Sequence, residues 1–304
     1  MVDPLSPDWQ TCTDGPAAIE EDERMATVPP LPARGPATVS GASFDPARLV
    51  AMKARRRVSV CLPARDEEAT VGPIVAAVHR RLSVQHRLVD EIVVVDDAST
   101  DGTAVAARAA GARVVAGGGG GKGQAMQAGL AASDGDLVVY CDADVRSFCT
   151  AFVVGLLGPL LADGDVTFVK GFYDRPFDGR DGEGGRVTEL MAKPALRVLL
   201  PALAGFTQPL AGECAARRDV LEQVPFVRGY GVDVALLADV SERFGLGSMV
   251  QVDLGRRVHR NRPLSELGPQ AEAVLRTVLA RSGLGLAVDE LPCLASSPEG
   301  LRTA

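Results

Sequence analysis

From Val58 onward the chain repeats one alternation: a short apolar run, a polar turn, then a longer stretch with helical spacing. Val58-Ser59-Val60-Cys61-Leu62, Glu91-Ile92-Val93-Val94-Val95, residues 112–115 and Leu137-Val138-Val139-Tyr140 are four such runs. They are too short for helices and rich in β-branched residues, which predicts strands buried on both faces. Residues 69–82, 104–110 and 124–132 predict the intervening helices. Strand and helix in regular alternation imply right-handed crossovers and a parallel sheet. Further on, the pattern predicts a helix over 151–161 and a strand over 166–170. A helix punctuated by Pro194 and Pro201 follows, then one ending at Phe244, a strand over 249–254 and an amphipathic helix over 266–281. The flanks differ. Residues 1–43 are rich in Pro, Ala, Thr and acidic residues without periodicity and predict a disordered leader. Residues 44–57 predict a short helix whose Arg55-Arg56-Arg57 end is solvated, and 286–304 a loose tail.

Composition narrows the class. With 304 residues and 46% hydrophobic content, one large α/β domain or two smaller ones can be filled. A net charge of −7 argues against nucleic acid as the main partner, while anionic small molecules stay open because local Arg and Lys decide that. The six cysteines form no CxxC pair, and Cys61 and Cys141 sit inside apolar runs. Such usage suits a reducing, cytoplasmic setting. The longest apolar reach, 195–206, is broken by Arg197, Pro201 and Gly205, so no membrane span is expected.

The polar residues gather where the strands end. Asp142 and Asp144 follow the fourth strand with only Ala143 between them, on one side of an extended backbone. Two hard oxygen donors at the carboxyl end of a parallel strand suit Mg²⁺ or Mn²⁺ holding a diphosphate; the plainer reading is a turn with local hydrogen bonds. Pro63-Ala64-Arg65-Asp66-Glu67-Glu68 follows the first strand and Asp96-Asp97 the second. The acidic cluster also suits a helix N-terminus through the dipole alone. Ser99, Thr100 or Asp101 can cap the next helix. Five glycines, 117–121, precede Lys122-Gly123. They match the dinucleotide fingerprint trivially and after the wrong strand, and Ala116 and Gly123 break the Walker A pattern. Lys122 is left as a phosphate contact on a mobile loop or as a solvated lysine.

Taken together these motifs resemble the GT-A glycosyltransferases, a Rossmann-like α/β fold with a mainly parallel sheet flanked by helices. There Pro-Ala-x-x-Glu-Glu, a strand-end Asp, Gly-Lys-Gly and Asp-x-Asp occur in this order. Downstream, Gly-Gly-Arg-Val-Thr-Glu-Leu (184–190), Gln-Pro-Leu-Ala-Gly-Glu (208–213), Gly-Tyr-Gly-Val-Asp (229–233) and His-Arg-Asn-Arg-Pro (259–263) resemble the actinobacterial glucosyl-3-phosphoglycerate synthases. The resemblance implies a retaining, Mg²⁺-dependent transfer of glucose from UDP-glucose to D-3-phosphoglycerate. It also implies a homodimer at the start of methylglucose lipopolysaccharide synthesis. It divides the chain into a nucleotide-sugar-binding half, 44–165, and an acceptor-binding half, 166–285. It puts Pro63, Ala64, Arg65, Glu67 and Asp96 around uridine and Lys122 near the diphosphate, with Asp142 and Ala143 among the residues that bind the cofactor. Asp144 and His259 would hold the metal, Asp142 less directly. Gly185, Arg186, Thr188 and Asn261 would hold the acceptor's phosphate and carboxylate. Leu210, Gly212, Tyr230 and Asp233 would line the glucose pocket, Asp233 orienting sugar hydroxyls while the departing β-phosphate oxygen takes the acceptor's proton.

Two departures bear on this. The resemblance's pattern has Glu where Asp233 stands, and the loop before Lys122 is reduced to glycines. Other readings are a GT-A transferase acting on polyprenyl phosphate, a dinucleotide-dependent oxidoreductase resting only on the glycine run, and a catalytically silent sugar-nucleotide binder.

Overall fold

The structure, a computed structural model, describes residues 35–175, 185–257 and 264–296. Its strands are β1 (Ala37–Ser40), β2 (Val58–Ala64), β3 (Glu91–Asp96), β4 (Arg113–Ala116), β5 (Leu137–Tyr140), β6 (Phe168–Asp174), β7 (Cys214–Arg217), β8 (Phe226–Val227), β9 (Met249–Arg256) and β10 (Glu290–Leu291). The helices are α1 (Pro46–Lys53), α2 (Glu68–Val78), α3 (Thr103–Ala109), α4 (Lys122–Ala132), α5 (Ala151–Ala162), α6 (Lys193–Leu199), α7 (Arg218–Leu221), α8 (Val232–Phe244) and α9 (Leu264–Arg281). Eight strands form one sheet in the order β1-β9-β6-β7-β5-β2-β3-β4, and β8 pairs with β10 in a small ribbon. The two halves expected on either side of residue 165 share this single sheet.

Period-two alternation explains how the sheet is covered. Val60, Leu62, Val94 and Val139 face one buried cluster with α2 and α5, while Cys61, Val93, Val95 and Tyr140 face the other, with α4 and α8. Every described residue of β5 is buried, as its continuous apolar run requires. Pro63 is tolerated in a central strand because β5 pairs with β2 only as far as Cys61↔Tyr140.

The sheet is not wholly parallel. β7 runs antiparallel to both β5 and β6. Its Cys-Ala-Ala-Arg sequence carries no β-branched residue, so pattern gives no notice of it; it is extended because the facing edges of β5 and β6 need backbone partners. The leader expected through residue 43 is also partly structured. Ala37–Ser40 pairs in parallel with β9, from Ala37↔Val250 to Ser40↔Asp253, and Gln251 donates to Thr38 Oγ1 at 3.0 Å. Edge pairing supplies the order that local apolar periodicity lacks; residues 1–34 lie outside the described residues. The tail is tied as far as Ser296: Arg228 N donates to Asp289 O at 2.9 Å and Ala295 N to Glu222 O at 2.9 Å.

This topology places the site. The chain proceeds from β2 outward through β3 and β4, then returns to lay β5 on the opposite side of β2. Between β2 and β5 the connections diverge, and the crevice beyond their carboxyl ends is where open α/β sheets take ligands. Because β7 is antiparallel, it starts where β5 ends, with Cys214 opposite Tyr140. Gly212 and Glu213 are thereby delivered to the same crevice.

A chain beginning at Phe44 should melt several degrees below one beginning at Gly35, because it loses β1 and bares the edge of β9. Differential scanning calorimetry of the two truncations reads this; equal melting temperatures would show that β1 contributes nothing to stability.

Candidate active site

Beyond the carboxyl ends of β2 and β5 lies a cleft of about 330 Å³. From β2 and its following loop come Pro63, Ala64, Arg65 and Glu67; from β5 come Asp142, Ala143 and Asp144. Across from them stand Gly185, Arg186 and Thr188, with Leu210, Tyr230 and Asp233. Lys122 closes the inner end. Most of the residues singled out from sequence thus share one wall-to-wall space. Gly212 is used differently: a Cβ there would lie 1.9 Å from Asp142 Oδ1, so its role is to let the Asp142 carboxylate sit against the backbone. Asp96 is not among the lining residues. It turns to accept Ser99 N at 3.1 Å, and Asp97 lines the cleft instead. His259 and Asn261 lie outside the described residues.

The loops entering the site are laced by carboxylates. Asp101 accepts from Thr103 N at 3.0 Å and from Glu68 N at 3.1 Å, while Glu68 accepts from Gly102 N at 3.1 Å. Asp101 therefore serves the start of α2 as well as that of its own helix, and Glu68 serves the start of α3. Asp66, in left-handed conformation at φ 55°, accepts from Thr100 N at 2.7 Å. The glycine run is similarly held. Asp97 accepts from Gly119 N at 2.8 Å and Gly121 N at 2.9 Å, so the loop before Lys122 is pinned where mobility was expected. Glycine is required there because Gly118, Gly119 and Gly121 all have positive φ. A Cβ on Gly123 would meet Val227 O at 1.8 Å, which fixes the start of α4 against β8.

Lys122 bridges the cleft, 2.8 Å from Asp233 Oδ2 and 3.2 Å from Asp142 Oδ1. Burial disfavours its ammonium, but Asp142 and Asp233 more than compensate and raise its pKa. Burial alone would likewise raise the Asp142 carboxyl; Lys122 and Arg257 outweigh it and hold the group well below the usual carboxylate range.

Arg257 is the group that sequence reading missed. It follows β9 directly, is 2% exposed, and donates to Asp142 Oδ2 at 3.0 Å, Asp144 Oδ1 at 2.8 Å and Glu213 Oε2 at 2.8 Å. It also donates to the Tyr173 hydroxyl, as does Arg175 at 2.6 Å. Glu213 is fully buried, and burial raises its pKa against the pull of Arg257. In the sequence Arg257 is one of several arginines before a prospective metal ligand, and buried arginines are rare enough that a solvated reading prevails. Its signal was position, at the carboxyl end of a strand.

Asp142 and Asp144 both accept from one Arg257 nitrogen, at 3.0 and 2.8 Å, which brings the two carboxylates together. Both donors are hard carboxylate oxygens, a set that fits Mg²⁺ or Mn²⁺. Among the described residues no group of three His, Cys, Asp or Glu is placed to hold a metal ion. The geometry can hold a polyanion between Lys122 and the arginines opposite, with the Asp233 carboxylate at the same wall, bonded to Lys122.

Fold and cleft together define a nucleotide-sugar transferase, and residues 59–223 match the sequence model of glycosyl transferase family 2. A glucosyl-3-phosphoglycerate synthase from Mycolicibacterium paratuberculosis is 45% identical over 272 residues, covering 84% of this chain and 81% of that protein. The solved glucosyl-3-phosphoglycerate synthase of Mycobacterium tuberculosis with Mg²⁺ and UDP superposes with TM-score 0.75 at 43% identity, covering 82% of this chain and 87% of that one. The same enzyme with Mn²⁺, UDP and glucosyl-3-phosphoglycerate gives TM-score 0.77 at 39% identity, covering 86% and 99%. The chain belongs to the glucosyl-3-phosphoglycerate synthase family.

Replacing Arg257 by Met should lower the unfolding free energy by about 3–5 kcal/mol, because Glu213 loses its partner while fully buried and Asp142 while half-buried. Urea denaturation of the metal-free protein measures it. A change below about 1 kcal/mol, the size of an exposed ion pair, would show that the carboxylates reorganise without the guanidinium.

Proposed function

We propose that this protein transfers glucose from UDP-glucose to 3-phosphoglycerate with retention, in the presence of Mg²⁺ or Mn²⁺. The observation that carries the reading is the single cleft joining the Pro63–Glu67 and Asp142–Asp144 loops to the Gly185–Thr188 segment across Lys122 and Asp233. The family relatives support it: solved complexes of the Mycobacterium tuberculosis enzyme hold UDP-glucose, phosphoglyceric acid and Mn²⁺. The polyprenyl-phosphate alternative is not favoured by these relatives, and no described helix is long and apolar enough to cross a membrane.

Each part of the cleft then has a task. Pro63, Ala64, Arg65 and Glu67 would take the nucleoside, and Asp142 and Asp144 would hold the metal together with His259. A cation bound there supplies Lewis-acid neutralisation of the charge on the departing diphosphate. Lys122 would add a second positive charge to the diphosphate. Asp233 would accept hydrogen bonds from the sugar and fix its orientation, so that much of the rate comes from positioning. Among the described residues no carboxylate stands apart from these roles as an evident covalent nucleophile, which favours attack on the same face as the leaving group. The acceptor's anionic groups would lie against Arg186, Thr188 and the backbone at Gly185, with Arg175 beside them and Asn261 completing the set. The positive φ of Gly185, 79°, lets its backbone turn toward an anion where a larger residue would be strained. The family resemblance further supports a cytoplasmic homodimer at the start of methylglucose lipopolysaccharide assembly; sedimentation equilibrium reads the oligomeric state.

A UDP-release assay with Mg²⁺ and a panel of 3-phosphoglycerate, glycerate and a short polyprenyl phosphate tests the reaction. Turnover should depend on 3-phosphoglycerate, and equal rates with the lipid phosphate would overturn the acceptor assignment. Asp144→Ala should abolish that turnover at any Mg²⁺ concentration while leaving circular dichroism unchanged; retention of as much as about a tenth of wild-type kcat would refute its role. Losing one charge-assisted phosphate contact costs about 1.5–3 kcal/mol, roughly 10- to 150-fold. Arg186→Ala should therefore raise KM for 3-phosphoglycerate by that factor while the Kd for UDP-glucose stays within about twofold. A parallel fall in both affinities would remove Arg186 from the acceptor site.

A further inference from the structure

Behind the cleft wall stands a lysine that none of these roles uses. Lys170 lies in the middle of β6, opposite Cys214 of β7 and Gln251 of β9. Its side chain is 2% exposed, and its ammonium lies 3.5 Å from Asp233 Oδ1. Neither atom has a hydrogen-bond partner among the described residues, though both are buried. Lys170 does not line the cleft, whereas Asp233 and Lys122 do. Its cross-strand partner Cys214 and the neighbouring Phe168 belong to a buried apolar cluster. A buried ammonium is costly unless its charge is used, so the position calls for a reason.

Asp233 supplies one. Its carboxylate sits between two ammoniums, Lys122 on the cleft side at 2.8 Å from Oδ2 and Lys170 behind at 3.5 Å from Oδ1. Lys122 is already shared with Asp142 at 3.2 Å and is the more exposed of the two at 17%. A diphosphate entering beside it competes for the same protons. When Lys122 turns toward that anion, Asp233 Oδ2 loses its hydrogen bond at the moment a sugar must be oriented. Lys170 cannot be drawn away, since it has no access to the cleft. A shift of roughly 0.5 Å brings it within charge-assisted hydrogen-bond distance of Oδ1. The side chain at 233 is short, so the carboxylate depends on support from behind to keep its direction.

We propose that Lys170 is a positioning residue that holds the Asp233 carboxylate in place while Lys122 is engaged by the donor diphosphate. The proposal rests on the glucosyl-transfer reading for the role of Asp233, and its test separates the two. Lys170→Met and Lys170→Gln are compared in the wild-type and Asp233→Asn backgrounds, by UDP-glucose and 3-phosphoglycerate kinetics and by urea denaturation. In the wild-type background each should lower kcat roughly 10- to 100-fold, the scale of an ångström's misplacement, with KM for UDP-glucose within about twofold. In the Asp233→Asn background the same substitutions should cost less than about twofold, because there is no carboxylate left to hold. Lys170→Arg should recover part of the lost kcat. Stability losses from the single substitutions should likewise fail to add, a reading that needs no turnover. An inactive wild-type protein would sink the transfer reading alone, and the stability coupling would still decide the Lys170–Asp233 contact. Full activity in both neutral variants, losses that multiply across the two sites, or additive stabilities would overturn the proposal. A Lys170 variant that folds only beside Asp233→Asn supports it; one that folds in neither background shows a structural lysine and overturns it.

Discussion

The site depends on a balance of buried charge centred on Arg257. Three carboxylates, on Asp142, Asp144 and Glu213, crowd the end of β5 within reach of one guanidinium. Without it, like charges in a low-dielectric pocket would repel each other or take up protons. With it, Asp142 stays ionised and the strand end keeps its direction. The planar fork matters because several acceptors are met at fixed angles, which a lysine's single ammonium cannot do. Lys122 and Lys170 repeat the theme around Asp233.

This arrangement explains why some of the molecule was legible in its residues and some was not. Period-two runs gave β2, β3 and β5 because local burial decides them, and carboxylates at the end of such a strand point to chemistry. Pro63 to Glu67 and Asp142 to Asp144 therefore fell where expected. β7 was invisible because its extension is imposed by its neighbours. Arg257 was overlooked because its burial is a tertiary fact. Gly212 was assigned to a sugar pocket, whereas the structure places it beneath Asp142, a close approach that no spacing along the chain reveals. Asp96 and Asp97 are adjacent, so sequence could not say which one faces the cleft; the carboxylate that holds the glycine loop does.

The sheet also separates duties by side. One end is built from β2, β3 and the loops they carry, where carboxylates bond backbone amides and leave little play. The opposite end is built from β6, β9 and the segment before α6, and its cationic groups come from long side chains such as Arg175 and Arg186. Within the sheet the two meet at β5 and β7, and outside it Lys122 reaches across to Asp233.

The charged contacts of the cleft join residues far apart in the chain: Arg257 and Asp142 are 115 positions apart, Lys122 and Asp233 are 111. Closing such distances comes at an entropic penalty that only non-local contacts repay. Arg257 follows β9, which pairs with β1 and β6. A nascent chain that has made only β2 through β5 therefore holds its two aspartates without Arg257, with Lys122 alone beside Asp142. Binding of a nucleotide sugar becomes a property of the finished molecule, and a ligand that recognises only that state draws the folding equilibrium toward completion.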